Sequence, residues 1–510
     1  MVRRKSGRRS AEREAGMGFN QLPFGQVYSP YSPFEILSAD QLEAIHQASL
    51  LVLRDTGMTF LLPEARELLK AAGADVQPGS DRVRFEPALI EALIKTAPSR
   101  FTMHSRNPAF NCEMGGNIIT YGMVASPPNA TDIDRGRRTG NFEDFCNFMR
   151  LAQLINVAHH VTGYPVEPID IPVPVRHLKA YQAGVKLCEK VSFGYSHSRE
   201  RILDVIEMTR IVRGISEEQM TREPSLFTVV NANSPLQYDR AMLEGIIEMA
   251  KRNQPVIVTP FTLSGAMAPV TIAGALVQQN AEALAGIAMT QVVNPGAPVL
   301  YGGFTSNVDM KTGSPAFGTP EYAKAVLVGG QLARKYGVPY RTSNVNASNA
   351  PDVQSAYESM NSLWSTMLAH GNYINHGLGW LEGGLSASFE KVIIDAEMIQ
   401  NMIAFMEPLE VTEDSLAVDA INEVGPGGHF FGTAHTLARY ETAFYAPMLS
   451  DWNNYENWSE LGGLTATERA NRIYKKLLVD YERPLMDPAI EEELDAYVDR
   501  RVAEGGAPLT

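Results

Sequence analysis

Cysteine is scarce: Cys112, Cys146 and Cys188 are the only three, and no two of them form a CxxC pair. Neither a disulfide framework nor a Cys/His zinc frame is indicated, and the chain fits a reducing, cytoplasmic setting. No stretch reaches the ~18 consecutive apolar residues of a membrane span, so no span is expected. Basic residues are outnumbered, with 44 Lys and Arg against 58 Asp and Glu and a net charge of −14. That balance argues against unselective attraction to nucleic acid. The P-loop, the HExxH zinc motif, the GxSxG nucleophile elbow and the GxGxxG dinucleotide turn are all missing, which removes the commonest signatures of nucleotide binding, zinc proteolysis and serine hydrolysis. The amino terminus, Met1 to Ser10, is basic but lacks the apolar core of a secretory signal. Residues 1–35 read as a disordered basic tail, with a nucleic-acid or partner-binding arm as the alternative.

What is present is an ordinary globular composition, 45% hydrophobic and 20% charged. The length allows one large barrel domain with additions, or roughly two to four smaller domains. A capping-box pattern at Ser38-Ala-Asp-Gln41 precedes an amphipathic stretch running to Leu53. Pro63 to Gly73 and Pro87 to Thr96 read as two more helices, so residues 36–110 are expected to form an N-terminal helical subdomain. Eight strand-like runs follow, beginning at Asn117, Val157, Val191, Leu226, Pro255, Pro298, Val338 and Asn372. Helical patterns lie between most of them: 143–154, 199–212, 241–252, 273–292, one opened by Thr319-Pro320-Glu321, and 354–369.

Alternating strands and helices with short connections argue for parallel strands, since a parallel pair needs a crossover. Eight such units closed on themselves give an α/β fold of the (β/α)8 TIM barrel type, expected over 111–410. An open doubly wound sheet is the rival, and it usually carries the glycine-rich turn that is absent here. A helix over 390–406 would complete the barrel. A second capping box at Thr465-Ala-Thr-Glu468 and a helix start at Asp487-Pro488 mark a C-terminal helical extension over 411–510.

In a barrel of this kind the active site lies at the C-terminal strand ends. The residues there include Tyr121, Tyr164, Asn231, Asn233, Phe304 and His376, with Trp380 and Glu382 close behind. Each also has a plain structural reading: tyrosines as rim packing, asparagines as turn caps, His376 as a satisfied histidine and Trp380 as core. Glu382 is hardest to dismiss, because a carboxylate within Gly-Trp-Leu-Glu-Gly-Gly-Leu needs a partner. Aromatic faces hold quaternary ammonium through the ring quadrupole, while amides and a histidine can grip a carboxylate. Together they suit a betaine-like zwitterion. No metal site is expected. His159 and His160 are adjacent and should point to opposite faces of a strand, and His429 and His435 have no matching Cys or Glu frame.

Three segments carry a family resemblance: Glu423-Val-Gly-Pro-Gly-Gly-His429-Phe-Phe-Gly-Thr-Ala-His435, Phe304-Thr-Ser-Asn-Val-Asp309 with Phe317-Gly-Thr-Pro-Glu321, and Gly379-Trp-Leu-Glu-Gly-Gly-Leu385. Over residues 36–505 the chain resembles the trimethylamine methyltransferase (MttB) family. The resemblance implies a TIM barrel that takes a methyl group from an amine and passes it to the cobalt of a corrinoid (cobalamin) on a separate protein. It implies no tightly bound cofactor of the chain's own and a homo-oligomer. Trimethylamine members contain pyrrolysine; this chain has only standard residues and is similar to the branch that demethylates glycine betaine and related quaternary amines. A quaternary ammonium leaves as a neutral tertiary amine, so positioning matters more than acid–base groups. On this reading His376 and Glu382 are the catalytic pair. Asn231, Asn233 and His376 hold the anionic end, and Tyr121, Tyr164, Phe304 and Trp380 surround the trimethylammonium. His429 and His435 shape the mouth or the dock for the corrinoid protein. Tetrahydrofolate as direct methyl acceptor, and a non-catalytic small-amine binder, are the alternatives.

Overall fold

The computed structural model describes residues 20–508, so the basic part of the expected tail, through residue 19, lies outside the described residues. Its centre is a curled 8-stranded sheet. In chain order the parallel strands are β1 (Ile118–Met123), β2 (Ser192–Phe193), β3 (Leu226–Val230), β4 (Val256–Val258), β5 (Val299–Gly302), β6 (Tyr340–Ser343) and β7 (Tyr373–Leu378). Each pairs with its neighbour in parallel, from β2 through β7, and β7 pairs in turn with β1. Val27–Tyr28 adds one antiparallel strand against β1, so residues 20–35 are tied down rather than loose. Leu22 and Gln21 are also hydrogen-bonded, to Gln400 and to Leu154 and Asn156.

The expected second strand at 157–161 contracts to one residue. His160 makes isolated parallel bridges to Gly122 within β1 and to Val191 just before β2. Phe227, Ile257, Leu300 and Tyr373, each from a different strand, form a small core on the concave side together with Met103, Cys112 and Met114. The larger core lies between the convex side and the helices. Burial on both faces explains why β1, Ile-Ile-Thr-Tyr-Gly-Met, is buried throughout.

The helices outside the sheet are α1 (Phe142–Leu154), α2 (Val173–Leu187), α3 (Arg199–Arg213), α4 (Arg240–Lys251), α5 (Ile272–Val293), α6 (Pro320–Tyr336), α7 (Val353–Leu368) and α8 (Phe389–Phe405). All but α2 begin on a side chain that accepts an amide of the first turn, for example Thr319 for α6 and Ser388 for α8. The sequence reading had no helix at α2, which starts on Pro172 with no capping side chain.

The N-terminal region departs from its expectation. It has the three helices, at Ala39–Leu51, Pro63–Ala71 and Pro87–Ile94, but also short strands at Met58–Phe60, Asp75–Val76 and Arg82–Arg84. Gln237–Tyr238, beyond β3, pairs with Met58–Phe60 in the same small sheet. The region is therefore mixed α/β rather than helical. Two- and three-residue strands carry too little periodicity to register against flanking helices. At the carboxyl end, Ala466–Val479 packs on α8 and Pro488–Ala503 packs on α2 and α3.

Candidate active site

A cavity of about 300 Å³ opens where the strands end. Its wall combines Phe193, Phe261, Phe304, Phe317 and Trp380 with His376, Asn375, Asn231, Thr259 and Arg341. No carboxylate stands among the described residues that line it.

His376 enters the cavity because β7 is irregular. Ile374 pairs with Tyr121 and Leu378 with Met123, four steps along β7 against two along β1. His376 sits in that bulge with φ of +55°, a left-handed conformation uncommon outside glycine. The residue is 8% exposed. Nδ1 accepts the amide of Ala125 at 3.2 Å, which leaves the proton on Nε2. Burial, and then the nearby Arg341, hold the imidazole well below its ordinary value, so it is neutral at pH 7. The indole of Trp380 lies 4.2 Å from it, ring to ring. That indole is held in turn: Nε1 donates to the Asn346 carbonyl at 3.1 Å and the Asn346 amide donates back to the Trp380 carbonyl at 2.7 Å.

Behind the bulge is a buried ion pair on α8. Lys391 Nζ reaches Asp395, and also Ser359 Oγ at 2.8 Å. Asp395 accepts the amide of Gly379 at 2.8 Å and the side chain of Asn344 at 3.3 Å. Asn344 also donates to the Gly377 carbonyl at 3.0 Å. The segment from Gly377 to Trp380 thus hangs on α8 and on the end of β6.

Arg341 on β6 faces the concave side, as strand alternation requires, since Tyr340 beside it sends its hydroxyl outward to the Val326 carbonyl of α6. It is 3% exposed. Its guanidinium lies 5.3 Å from the centre of the Phe304 ring. Burial lowers its pKa to about 10, so it keeps its charge at neutral pH.

Four of the residues named from the sequence line this cavity together: Asn231, Phe304, His376 and Trp380. Six do not. Tyr121 is turned outward, because Thr120 takes the concave side of β1 and meets His160 there at 3.1 Å. Tyr164 lines a neighbouring cavity of about 260 Å³ and stands edge-on to Tyr195 with ring centres 4.7 Å apart. Asn233 is an exposed turn residue exchanging hydrogen bonds with Asp239. Glu382 turns its carboxylate to Arg137 at 2.8 Å and to Ser386 at 2.5 Å, not to His376. His429 is exposed and His435 half-buried, in a surface segment beside the exposed Phe431. His159 and His160 have separate partners, Tyr121 and Gly25 for one and Thr120 for the other. Sequence reasoning passed over Arg341 and Phe317. Arg341 lies inside β6 rather than at its end, although an arginine in a Tyr-Arg-Thr-Ser strand is itself a signal. The three cysteines are buried and unpaired, and burial pushes the Cys112 thiol up to about 12, so none offers a ready nucleophile.

The profile described as "Trimethylamine methyltransferase (MTTB)" matches residues 3–506. The glycine betaine methyltransferase of Desulfitobacterium hafniense (strain Y51) is 35% identical over 483 residues, covering 94% of this chain and 99% of that one. Trimethylamine methyltransferase MttB of Methanosarcina barkeri is 28% identical over 504 residues, covering 96% and 98%. A crystal structure of a hydroxylamine MtmB complex aligns over 88% of this chain and 93% of its own at 11% identity, with a TM-score of 0.44.

Proposed function

The chain belongs to the trimethylamine methyltransferase family and is a methyltransferase, and from that premise we propose that it demethylates a quaternary amine of the glycine betaine kind, with the Co(I) of a corrinoid on a separate protein as acceptor. In the same reading His160 completes the ring between β1 and β2, making the sheet a closed (β/α)8 barrel with the reaction at its mouth. The observation that carries the proposal is the character of the cavity wall: aromatic faces, a neutral histidine and, among the described residues, no carboxylate.

A Co(I) corrinoid would supply a two-electron nucleophile. The loops that follow the strands expose Val270, Met310 and Leu385, an apolar surround suited to a flat macrocycle presented by another protein. Displacement at the methyl carbon breaks the C–N bond and returns its electron pair to nitrogen, which leaves as a neutral tertiary amine. No proton has to reach that leaving group, and no described residue of the wall is a carboxylic acid that could give one. Phe261, Phe304, Phe317 and Trp380 would hold the quaternary ammonium by their faces and keep water away from it. His376 would donate from Nε2 to orient the substrate, its ring fixed by Ala125 and Trp380. Much of the rate then comes from placing the methyl carbon in line with the acceptor.

The test is methyl transfer to cob(I)alamin by the purified chain across a panel of methylated amines. Glycine betaine or a close relative is expected to react and trimethylamine is not. Reaction with trimethylamine alone would overturn the proposal.

A further inference from the structure

The wall of the cavity contains a charge that no described residue neutralises. Arg341 is 3% exposed, and its Nε and Nη1 atoms have no hydrogen-bond partner. No salt bridge reaches it among the described residues, and the tyrosines near it, Tyr322, Tyr340 and Tyr373, are neutral phenols that supply no counter-charge. A buried cation without a counter-ion is strongly unfavourable, and proteins keep one where a ligand completes it. Two further polar residues line the same space. Thr259 Oγ1 is buried without a partner, and His376 offers Nε2–H.

We infer that Arg341 is the carboxylate anchor of this site, so that the substrate is a zwitterion whose anionic end lies on the guanidinium and whose quaternary ammonium lies against the rings. This rests on the quaternary-amine reading above and goes beyond it by naming the residue and the group that select among such amines. Arginine suits the task better than lysine, because its planar fork can take both carboxylate oxygens at once. Phe304 beneath it, at 5.3 Å, fixes the plane of that fork. The rings supply only a face for the cationic end, so a bare cation such as tetramethylammonium would leave Arg341 as unpaired as before. It would also bring a second positive charge into the cavity.

The experiment is calorimetric titration of the purified chain, without any acceptor, using glycine betaine, choline and tetramethylammonium as probes. Wild type is expected to bind glycine betaine at least 100-fold more tightly than either probe lacking a carboxylate. Arg341→Met is expected to lose about 100-fold for glycine betaine and to gain or hold its weak affinity for tetramethylammonium, while Arg341→Lys falls between. Melting of Arg341→Met should be no lower than wild type, since an unpaired buried charge is removed; should the variant fail to fold, Arg341→Lys and the wild-type selectivity decide. Glycine betaine binding within 3-fold of wild type in Arg341→Met, or equal wild-type affinity for tetramethylammonium, would overturn the assignment. Carboxylate-dependent binding with no methyl transfer to any acceptor would sink the enzymatic reading and leave the anchor standing. Methyl transfer from choline, unaffected in Arg341→Met, would do the reverse.

Discussion

His376 and Ala125 are joined by one hydrogen bond in which the ring is the acceptor, Nδ1 taking the backbone amide at 3.2 Å. A protonated imidazole has no lone pair for that bond, so the geometry at the end of β1 requires the neutral ring. The expected outcome is a kcat/KM profile without an inflection from His376 between pH 6 and 8. His376→Gln should lower kcat/KM by about 10- to 100-fold through lost orientation, without changing the shape of the profile. An inflection near pH 6.5 that vanishes in His376→Gln would return this residue to acid–base work.

Glu382 carries the opposite expectation. Its carboxylate is held down by Arg137 and Ser386, so Glu382→Gln should change kcat by less than about 3-fold. Arg137 is half exposed, and breaking such a pair costs about 0–1 kcal/mol. Thermal melting and steady-state rates of the variant check both points; a 100-fold loss of kcat would place the carboxylate in the reaction.

Asp395 and Lys391 are both fully buried. Asp395→Leu leaves the ammonium unpaired and should cost about 3–5 kcal/mol in denaturant unfolding. The double variant Lys391→Met/Asp395→Leu should recover much of that stability. It should not recover activity, because the Gly379 amide still lacks its acceptor and the Gly377–Trp380 segment loses its tether. Recovery of both would show that the pair acts on folding alone.

His159 gives a pH-dependent stability. Burial holds its imidazole at about 4, and both nitrogens are used by the neutral ring, Nδ1 accepting from Tyr121 and Nε2 donating to the Gly25 carbonyl. Below pH 6.5 the unfolded chain takes up a proton that the folded chain refuses. The contribution is therefore complete above about pH 6.5 and is lost as pH falls toward 4, at most ~3 kcal/mol. Urea midpoints should be level from pH 8 to 7 and fall between pH 6 and 4.5, with a shallower fall in His159→Gln. An unchanged slope in the variant would assign the acid sensitivity elsewhere, the half-buried His197 being the next group held at about 4.

Much of the frame was readable because it is repetitive. Strand runs such as Leu226–Val230 and capped helices such as Thr319-Pro320 carry their own signals, and the structure has them at Leu226–Val230 and Pro320–Tyr336. What escaped has physical reasons. The helix Val173–Leu187 opens on Pro172 and Pro174 without a polar cap. The run 157–161 looked like a strand, yet only His160 bridges its neighbours. The site was half legible: strand ends pointed to Asn231, Phe304 and His376, but side-chain alternation decided against Tyr121 and in favour of Arg341. The bulge that delivers His376 depends on a +55° φ at a non-glycine residue, which sequence pattern does not signal.

The aromatic wall has a consequence for the working cycle. On the proposed reading, a cavity that grips its cargo with ring faces, a neutral imidazole and the Arg341 guanidinium would hold no proton to exchange and form no bond of its own to the migrating carbon. No described residue of its wall would then have to be recharged between turnovers. The pace would be set by traffic through the mouth, with product leaving and two reactants arriving, rather than by the recovery of any side chain.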